Sequence, residues 1–342
     1  MVVTTDTMTA ARIHGAGDVR THAEAIPRVG VGEELVRVTA VGLCGSDLHW
    51  FAEAGIGDSR LSRPVVPGHE FAGVIEGGPR HGERVAVDPA LPCGRCESCR
   101  DGYRNLCPTV VFAGHGEYDG GLRQYLAWPS WALHGLPDGL SAADGAMLEP
   151  LGVALHALDL GHLRIGASVA VVGAGPIGLL LVQAARRCGA TRIVVVEPLA
   201  HRREAALRLG ADVALDVSAA REESAMSAAL GGSGADAVFE LAGTDLAVEL
   251  SLRAARPGAR VVLGGIPAGD HTSFQASAAR RKGLTLVLVR RMNEAYPRAI
   301  RLVEQGLIDV SSIVTHRYPL DQAADAFAVA AGREGLKVVV EP

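Results

Sequence analysis

Four closely spaced cysteines are the strongest chemical signal in the sequence. They occur in the run PCGRCESCRDGYRNLC with spacing C-x2-C-x2-C-x7-C, at Cys93, Cys96, Cys99 and Cys107. Four thiolates held this close in sequence can form a closed tetrahedral zinc site. A closed site has no position open for a substrate, so we predict a structural zinc. An iron–sulfur cluster, which uses similar ligands, and a set of free or disulfide-bonded thiols are the alternatives.

A second set of metal donors lies upstream of this loop. Cys44 follows a β-like run, and His69 and Glu70 are adjacent in PVVPGHEFAGV. A thiolate, an imidazole and a carboxylate are the mixture expected for a catalytic zinc that keeps one position for water or substrate. Each residue alone has an ordinary explanation as a core or surface side chain. Their combination with the four-cysteine loop and the next motif favours a metal site.

The run VAVVGAGPIG predicts a dinucleotide-binding turn. An apolar β run ends in this glycine pattern and an apolar helix follows it, so glycines allow a tight turn and the helix N-terminus can hold a pyrophosphate. The residues of the turn are Gly173, Gly175, Pro176, Ile177 and Gly178. Glu197 ends the next β run, where an acid accepts hydrogen bonds from ribose hydroxyls and repels a 2′-phosphate. We therefore predict NAD as the coenzyme, although Glu197 could also be an ordinary surface acid.

With these motifs, the chain resembles the zinc-dependent medium-chain dehydrogenases, and within them the sorbitol (polyol) dehydrogenase-like branch. The resemblance covers nearly all of the chain after about Thr9. It is carried by CGSDLHW, PGHEFAG, CGRCESCRDGYRNLC, LEPLGVALHA, VVGAGPIG and VTHRYPLDQAADAF. It implies an α/β protein with a β-rich, partly barrel-like (GroES-like) catalytic domain, interrupted by a doubly wound Rossmann domain. It also implies a cleft between the domains that holds the catalytic zinc and the nicotinamide.

The resemblance assigns a reaction and several roles. It implies hydride transfer from a secondary hydroxyl of a polyol, sugar alcohol or related alcohol to NAD, while zinc polarises the substrate oxygen. Ser46 and His49 occupy the positions of the family's proton relay. Glu149 lies where this branch carries a glutamate that binds zinc directly or holds its water. Whether Glu70 or Glu149 is the direct ligand stays open.

The substrate-binding residues are less well defined by the sequence. Trp50 follows the relay histidine, and Arg290 aligns with an arginine that holds polyol hydroxyls in this branch. Asp119 could face the substrate or could be a loop acid that caps a turn. On the coenzyme side, Arg202 matches a basic position that flanks the adenosine in NAD-using relatives. The next residue, Arg203, is expected to point to another face of its helix.

The order of the patterns predicts the domain limits. Short β runs with Gly and Pro breaks characterise the first part, and strand and helix patterns then alternate, as in a parallel doubly wound sheet. The predicted strands are Ser168–Val172, Arg192–Val196, Ala237–Glu240, Arg260–Gly264 and Leu284–Val289, with helices at Arg202–Leu209, Ala247–Ala255 and Ala323–Ala331 and a last strand at Lys337–Glu341. We predict a catalytic domain over residues 1–151 with a zinc lobe at about 92–108, a Rossmann domain over 152–289, and a return to the catalytic domain over 290–342.

Composition and charge exclude several classes of protein. The 342 residues are 48% hydrophobic with a net charge of −5, and no basic run indicates nucleic acid or anionic lipid as a partner. The uncharged stretch 165–185 approaches membrane-spanning length, but its central glycines and proline favour strand, turn and helix. The N-terminal MVVTTDTMTA lacks the features of a secretory signal. Thiolate metal ligands favour a reducing compartment, so we predict a cytoplasmic location.

Two further expectations concern assembly and alternative functions. The run GLTLVLV at 283–289 is too apolar for an exposed strand, which predicts pairing with a second copy in a homodimer or homotetramer. A strand covered by helices is the alternative. The other functions considered are a threonine 3-dehydrogenase-like or amino-cyclitol dehydrogenase, and a zinc- and nucleotide-binding redox sensor without turnover.

Overall fold

A computed structural model describes residues 7–342. Residues 1–6, which belong to the predicted catalytic domain and to the N-terminal segment MVVTTDTMTA, lie outside the described part. The β-strands are β1 Thr7–Gly15, β2 Asp18–Ala25, β3 Glu33–Gly42, β4 Gly55–Ile56, β5 Ser59–Arg60, β6 Glu70–Glu76, β7 Arg84–Val87, β8 Ala90–Leu91, β9 Val111–Phe112, β10 Tyr125–Pro129, β11 Leu133–Gly135, β12 Ser168–Val172, β13 Arg192–Val196, β14 Val213–Leu215, β15 Ala235–Glu240, β16 Ala255–Leu263, β17 Thr285–Leu288, β18 Val314–Pro319 and β19 Lys337–Glu341.

The α-helices connect these strands or close the sheets. They are α1 Gly45–Glu53, α2 Glu97–Arg100, α3 Ala142–Ala146, α4 Leu148–Gly161, α5 Pro176–Arg187, α6 Ala200–Arg208, α7 Val217–Arg221, α8 Glu223–Ala229, α9 Asp245–Ala254, α10 Ala276–Lys282, α11 Tyr296–Glu304 and α12 Ala323–Gly332. Short 3-10 helices lie at Arg104–Leu106, Ser130–Ala132, Ala268–Asp270, Ser311–Ile313 and Leu320–Gln322. Among residues 7–342, every helix is too short or too polar to cross a bilayer.

The chain folds as two compact units, which are described separately. Of the described residues, the first contains 7–149, 296–306 and 310–342, and the second contains 150–295 and 307–309. The first unit is built on a seven-stranded sheet in the order β11-β7-β6-β3-β19-β18, with β10 also paired to β3. Most of its pairings are antiparallel, and its core contains large buried side chains such as Trp50, Phe71 and Phe327. This core fixes the end of β3 and the start of β6, beside which Cys44, His69 and Glu70 lie.

The second unit is a six-stranded parallel sheet in the order β14-β13-β12-β15-β16-β17. This order is that of a doubly wound dinucleotide-binding fold. The predicted strands and helices of this region are all present within a few residues of their expected limits. The uncharged stretch 165–185 forms β12 and α5, and β12 is buried because strands pair with it on both sides. The predicted α/β class is therefore confirmed.

Candidate active site and coenzyme motif

Three candidate zinc donors converge at the ends of two neighbouring strands of the first unit. Cys44 lies two residues after β3 and is the N-cap of α1. His69 and Glu70 stand at the beginning of β6, which pairs with β3 so that Glu70 lies opposite Gly42. One donor atom from each of Cys44, His69 and Glu70 lies within 4.8 Å of the others. The antiparallel pairing therefore brings together residues that are 26 positions apart in the chain.

Asp47 supports these donors from within the core, a role that the sequence analysis missed. Its carboxylate is fully buried and accepts hydrogen bonds from the backbone N–H groups of Cys44 (2.9 Å) and Gly68 (3.1 Å). Its other contact is Nδ1 of His69, 3.6 Å away. Burial alone would lower the pKa of His69. The negative charges of Asp47 and Cys44 have the larger effect, so the pKa of His69 lies well above its ordinary value. A carboxylate behind a histidine is the usual means of orienting a metal-binding imidazole, and the motif CGSDLHW could have indicated it.

Glu70 forms a buried ion pair with Lys337, which begins β19. Both side chains are almost fully inaccessible to solvent, and β3 lies between their two strands. A Cβ at Gly42 would collide with the Glu70 carboxylate and lie 2.8 Å from Cε of Lys337, so glycine leaves room for the pair. Burial opposes the charge of Lys337, but Glu70 and Cys44 raise its pKa. No local pattern in the sequence could indicate this partner.

Glu149 lies in the first turn of α4 and is 4% exposed. Burial raises its pKa to about 7, with His69 acting in the opposite direction and Glu70 in the same direction. The set of three converging donors contains Glu70 rather than Glu149. Glu149 therefore interacts electrostatically with two of these donors without being one of the three.

The two relay candidates share α1. Ser46 is half-buried in its first turn, and His49 follows one turn later with a 25% exposed side chain. Nδ1 of His49 lies 3.2 Å from Oε1 of Glu53, one further turn along the helix. Ser46 and His49 therefore both lie on α1, the helix whose N-cap is Cys44.

The substrate candidates are placed differently from expectation. Trp50 is 1% exposed and packs in the core of its unit, with its indole nitrogen 3.4 Å from Nδ1 of His115, so it does not present a surface open to substrate. Arg290 is exposed, two residues after the end of β17. Asp119 accepts hydrogen bonds from both Nη atoms of Arg12 (3.0 and 2.9 Å) and from the backbone of Val66. Of the two interpretations of Asp119, these contacts favour a structural acid of the loop.

The four-cysteine loop forms a compact cluster around α2. The Sγ atoms of Cys93, Cys96, Cys99 and Cys107 all lie within 4.8 Å of one another. The backbone N–H of Cys93 donates to Sγ of Cys107 (3.3 Å), and that of Cys96 donates to Sγ of Cys93 (3.4 Å). The N–H groups of Arg95 and Cys96 lower the pKa of the Cys93 thiol to about 6. All six cysteines are free thiols, so a disulfide arrangement of the loop is excluded.

Both donor sets fit zinc. Four sulfurs within this distance match tetrahedral coordination, for which a Zn–S bond of about 2.3 Å requires sulfurs about 3.8 Å apart. The Cys44, His69 and Glu70 set offers three ligands of the types found in catalytic zinc sites that leave a position open. Its buried histidine and carboxylate, each with a charged partner in Asp47 or Lys337, are otherwise costly to hold away from water.

The glycine motif forms the turn between β12 and α5 in the second unit. Gly173 has φ +104°, and a Cβ there would lie 3.0 Å from the backbone of Leu241 and Ala242. Gly175 is the N-cap of α5 and Pro176 its first residue, with Ile177 in the same turn. A Cβ at Gly178 would collide with the carbonyl oxygen of Gly173, so only glycine lets the helix pack this close to the turn.

Glu197 is tied to this turn. It follows β13, is 4% exposed, and accepts hydrogen bonds from the backbone N–H groups of Ala174 (2.8 Å) and Leu199 (3.0 Å). Arg202 is half-buried in the first turn of α6. Nη1 of Arg203 donates to the carbonyl oxygens of Glu197 (2.8 Å) and Pro198 (2.7 Å). The long side chain of Arg203 thus folds back onto the end of β13, a contact that its position on the helix did not predict.

Family models, related sequences and solved structures all match this chain to zinc-dependent alcohol and polyol dehydrogenases. The family model "Alcohol dehydrogenase GroES-like domain" matches residues 30–138, and "Zinc-binding dehydrogenase" matches residues 176–305. Sorbitol dehydrogenase of Bacillus subtilis (strain 168) is 33% identical over 346 aligned positions, covering 98% of this chain and 97% of the relative.

Two solved structures superpose over almost the full length. A putative zinc-binding dehydrogenase from Sinorhizobium meliloti 1021 bound to NADP has a TM-score of 0.89 and 32% identity, covering 99% of this chain and 100% of that one. An alcohol dehydrogenase from E. coli CFT073 complexed with NADH has a TM-score of 0.89 and 29% identity, with the same coverage. The chain belongs to the zinc-dependent medium-chain dehydrogenases, in the polyol-dehydrogenase-like branch, and is a zinc- and NAD-dependent oxidoreductase of alcohols and polyols.

Proposed function

We propose that Cys44, His69 and Glu70 hold the catalytic zinc of this oxidoreductase and that its substrate is a polyol or sugar alcohol with a secondary hydroxyl. The observation that carries the proposal is the convergence of three different donor types within 4.8 Å in a buried position. Zinc held there supplies a Lewis acid for the hydroxyl oxygen, and NAD supplies the hydride acceptor. The cluster of Cys93, Cys96, Cys99 and Cys107 holds a second zinc with a structural role.

Asp47 and Lys337 set the charge around the catalytic donors. Asp47 fixes the ring of His69, so that the other ring nitrogen is available to a metal. Lys337 offsets the charge of Glu70 whenever that carboxylate is not bound to a cation. Glu149, with a pKa near neutrality, is the carboxylate that can replace Glu70 or hold a water beside the donors. This arrangement supports an exchange between the two glutamates during turnover.

Ser46 and His49 serve as the proton relay. The Ser46 hydroxyl accepts the proton of the substrate hydroxyl while it gives up its own, and His49 takes up the relayed proton and delivers it toward solvent. The partly exposed imidazole of His49, beside Glu53, supports this direction. The exposed Arg290 contributes to binding of further substrate hydroxyls, whereas the buried Trp50 packs against His115.

The second unit binds NAD through the turn formed by Gly173, Gly175, Pro176, Ile177 and Gly178. Glu197 accepts hydrogen bonds from the hydroxyls of the adenosine ribose, and Arg202 flanks the adenosine. Each oxygen of Glu197 accepts one backbone hydrogen bond and keeps a lone pair for a ribose hydroxyl. The predicted domains, residues 1–151 and 290–342 for catalysis and 152–289 for the coenzyme, assign the two tasks to separate parts of the chain.

The enzyme is cytoplasmic and assembles as a homodimer or homotetramer. Six free thiols support a reducing compartment. β17 is the edge strand of the parallel sheet, and Leu288 on it is 75% exposed. An edge of this kind is hidden when it pairs with a second copy.

The decisive experiment is a substrate panel of sugar alcohols, cyclitols, diols and threonine, assayed with NAD by the absorbance of NADH. We expect the highest kcat/KM with a polyol. A clear preference for threonine or an amino-cyclitol would contradict the substrate class, although the comparisons do not favour these alternatives. Absence of turnover with every compound, in protein that contains zinc and binds NADH, would favour the redox sensor.

A further inference from the structure

Glu240 is a buried acid that none of the roles above requires. It is 1% exposed and ends β15, where it lies opposite Val172, the last residue of β12. The strand order reverses between β12 and β15, so Glu240 lies at the topological switch point of the sheet. In open α/β sheets, ligands bind outside the carboxyl ends of the strands at this point.

Glu240 joins the turns that follow β15 and β16. Its Oε1 accepts hydrogen bonds from the backbone N–H groups of Ala242 and Gly243, both at 2.7 Å. Its own carbonyl oxygen accepts from Gly264 (2.8 Å) and Gly265 (3.1 Å). The second carboxylate oxygen faces Gly265, where a Cβ would lie only 2.7 Å from it. The side chain of Glu240 therefore holds the turn after β15, while its main-chain carbonyl holds the turn after β16 and its second carboxylate oxygen packs beside Gly265.

The turn after β15 also supports the glycine motif. A Cβ at Gly173 would lie 3.0 Å from the nitrogen and 3.2 Å from the Cβ of Ala242, the residue held by Glu240. On the opposite side, Glu197 holds the N–H of Ala174. Since β12 lies between β13 and β15, two buried carboxylates hold the turn after β12 from its two sides.

The chemistry of Glu240 is unusual for a purely structural residue. Burial raises its pKa, and the groups that lower it are the backbone N–H groups of Gly243, Ala242 and Gly265 rather than a cationic side chain. Burying a carboxylate without a counter-charge costs stability. A carboxylate is, however, the only side chain of this size that accepts hydrogen bonds at both ends and donates none.

We propose that Glu240 is a positioning residue for the coenzyme: it holds the turn after β15 against Gly173, with the turn after β16 packed behind it at Gly243, and so shapes the surface that receives NAD. This inference rests on the proposed coenzyme function of the second unit. Glu240 touches backbone rather than coenzyme in this arrangement, and its effect on binding is transmitted through the turns.

The test is direct titration of the zinc-loaded enzyme with NADH, followed by the fluorescence of the bound nicotinamide. Glu240→Gln keeps the size of the side chain but replaces one carboxylate oxygen with an amide NH₂. Because this group donates hydrogen bonds, it cannot accept one from the backbone N–H groups that face it, and the turn on that side loses its support. We expect the Kd for NADH to rise about tenfold, equivalent to ~1.4 kcal/mol.

Asp236→Asn is the matched control, because Asp236 lies on the same strand. Its carboxylate accepts from N (2.7 Å) and Oγ (2.8 Å) of Ser168 and pairs with Arg256. Being near the start of β15, it is remote from the carboxyl ends of the strands. This variant should lower Tm while leaving the Kd for NADH within about twofold of wild type.

An unchanged Kd in folded Glu240→Gln would overturn the inference, even if its Tm falls as in Asp236→Asn. If Glu240→Gln does not fold, the titration is made on Glu240→Asp, which keeps the charge but shortens the reach. A wild-type Kd in Glu240→Asp would then overturn the inference, and a raised Kd would support it. Failure of the wild-type enzyme to bind NADH would overturn the coenzyme function itself and this inference with it.

Discussion

At the scale of single residues, buried carboxylates at strand ends organise this enzyme. Asp47 caps α1, holds the turn before His69 and faces the imidazole at the same time. Glu197 and Glu240 hold the backbone turns on either side of the glycine motif. Because a carboxylate only accepts hydrogen bonds, it suits positions where several backbone N–H groups converge. Substitution of such a residue should therefore affect local geometry and ligand binding together.

Glu197→Ser tests the choice of coenzyme. A 2′-phosphate beside the Glu197 carboxylate costs about 1–4 kcal/mol at effective dielectrics between those of water and a protein surface. Arg203 lies at the same strand end and offsets part of this repulsion, so we expect wild type to favour NAD over NADP by at least about tenfold in kcat/KM. The variant should lose most of that preference and, without the acceptor for Ala174, bind both coenzymes more weakly.

Glu204→Ser provides the control for this prediction, since Glu204 is an exposed acid on α6. This substitution removes one negative charge near the end of β13 without changing the glycine turn. The ratio of kcat/KM for NAD to kcat/KM for NADP should therefore stay at the wild-type value. A wild-type preference for NADP, or an unchanged ratio in Glu197→Ser, would show that Glu197 is not the selector.

At the scale of elements, the two donor sets belong to different kinds of structure. The proposed catalytic donors come from a helix N-terminus and the start of a strand in the seven-stranded sheet. The four cysteines belong to a loop whose regular structure is one short helix, α2, and one turn of 3-10 helix. The sheet can fold without its metal, whereas the loop has few other interactions to order it. Loss of each zinc should therefore have a different consequence.

Paired cysteine substitutions test this difference. The wild-type chain should contain about two zinc ions. Cys44→Ser should lose one zinc and all activity but keep its Tm, because serine is a good N-cap for α1. Cys96→Ser should lose the other zinc and lower Tm by at least about 4 °C, as a loss of ~1–2 kcal/mol would in a domain of this size. Loss of the same zinc in both variants, by elemental analysis, would contradict two sites.

The edge strand β17 is the element through which assembly can be tested. Leu288→Lys places a charge on the exposed face of this strand, and we expect it to weaken subunit association by at least about tenfold. Molar mass from light scattering at several concentrations is the measurement. Ile165→Lys, at a residue of the same unit that is 91% exposed before β12, should leave the mass unchanged. A monomeric wild-type enzyme at micromolar concentration would contradict the proposed assembly.

At the scale of the whole molecule, metal and coenzyme depend on different units. The seven cysteine, histidine and glutamate donors of the two metal clusters all lie in the first unit. The glycine turn, Glu197 and Glu240 all lie in the second. The parallel sheet has its own buried core. Binding of the dinucleotide should therefore survive loss of the catalytic zinc.

Mild chelation tests this independence. The exchangeable zinc at Cys44, His69 and Glu70 should leave before the zinc enclosed by four thiolates, and activity should disappear with it. The Kd for NADH should stay within about twofold of its original value, and added zinc should restore turnover. Loss of NADH binding in step with zinc content would show that the two functions are coupled rather than separate.

The sequence by itself predicted the two groups of candidate metal donors that converge in the structure, the glycine turn between a strand and a helix, and the α/β class. These features depend on short spacings, such as x2 between cysteines or the glycines between a strand and a helix, where neighbouring residues must act together. The parallel arrangement of the second unit also followed from local patterns, because alternating strands and helices of this kind form a parallel sheet, whereas the order of its strands came from the structure.

Only the tertiary structure decided which distant side chains meet. Lys337 reaches Glu70 because β19 and β6 both pair with β3, a relation between strands that no local pattern contains. Trp50 faces the core although its neighbour His49 is partly exposed, and Asp119 is held by Arg12 across 107 residues. Arg203 folds back onto two carbonyl groups because its chain is long enough to leave the face on which its Cα lies. In each case the outcome depends on register and packing between segments far apart in the chain, which local residue patterns do not specify.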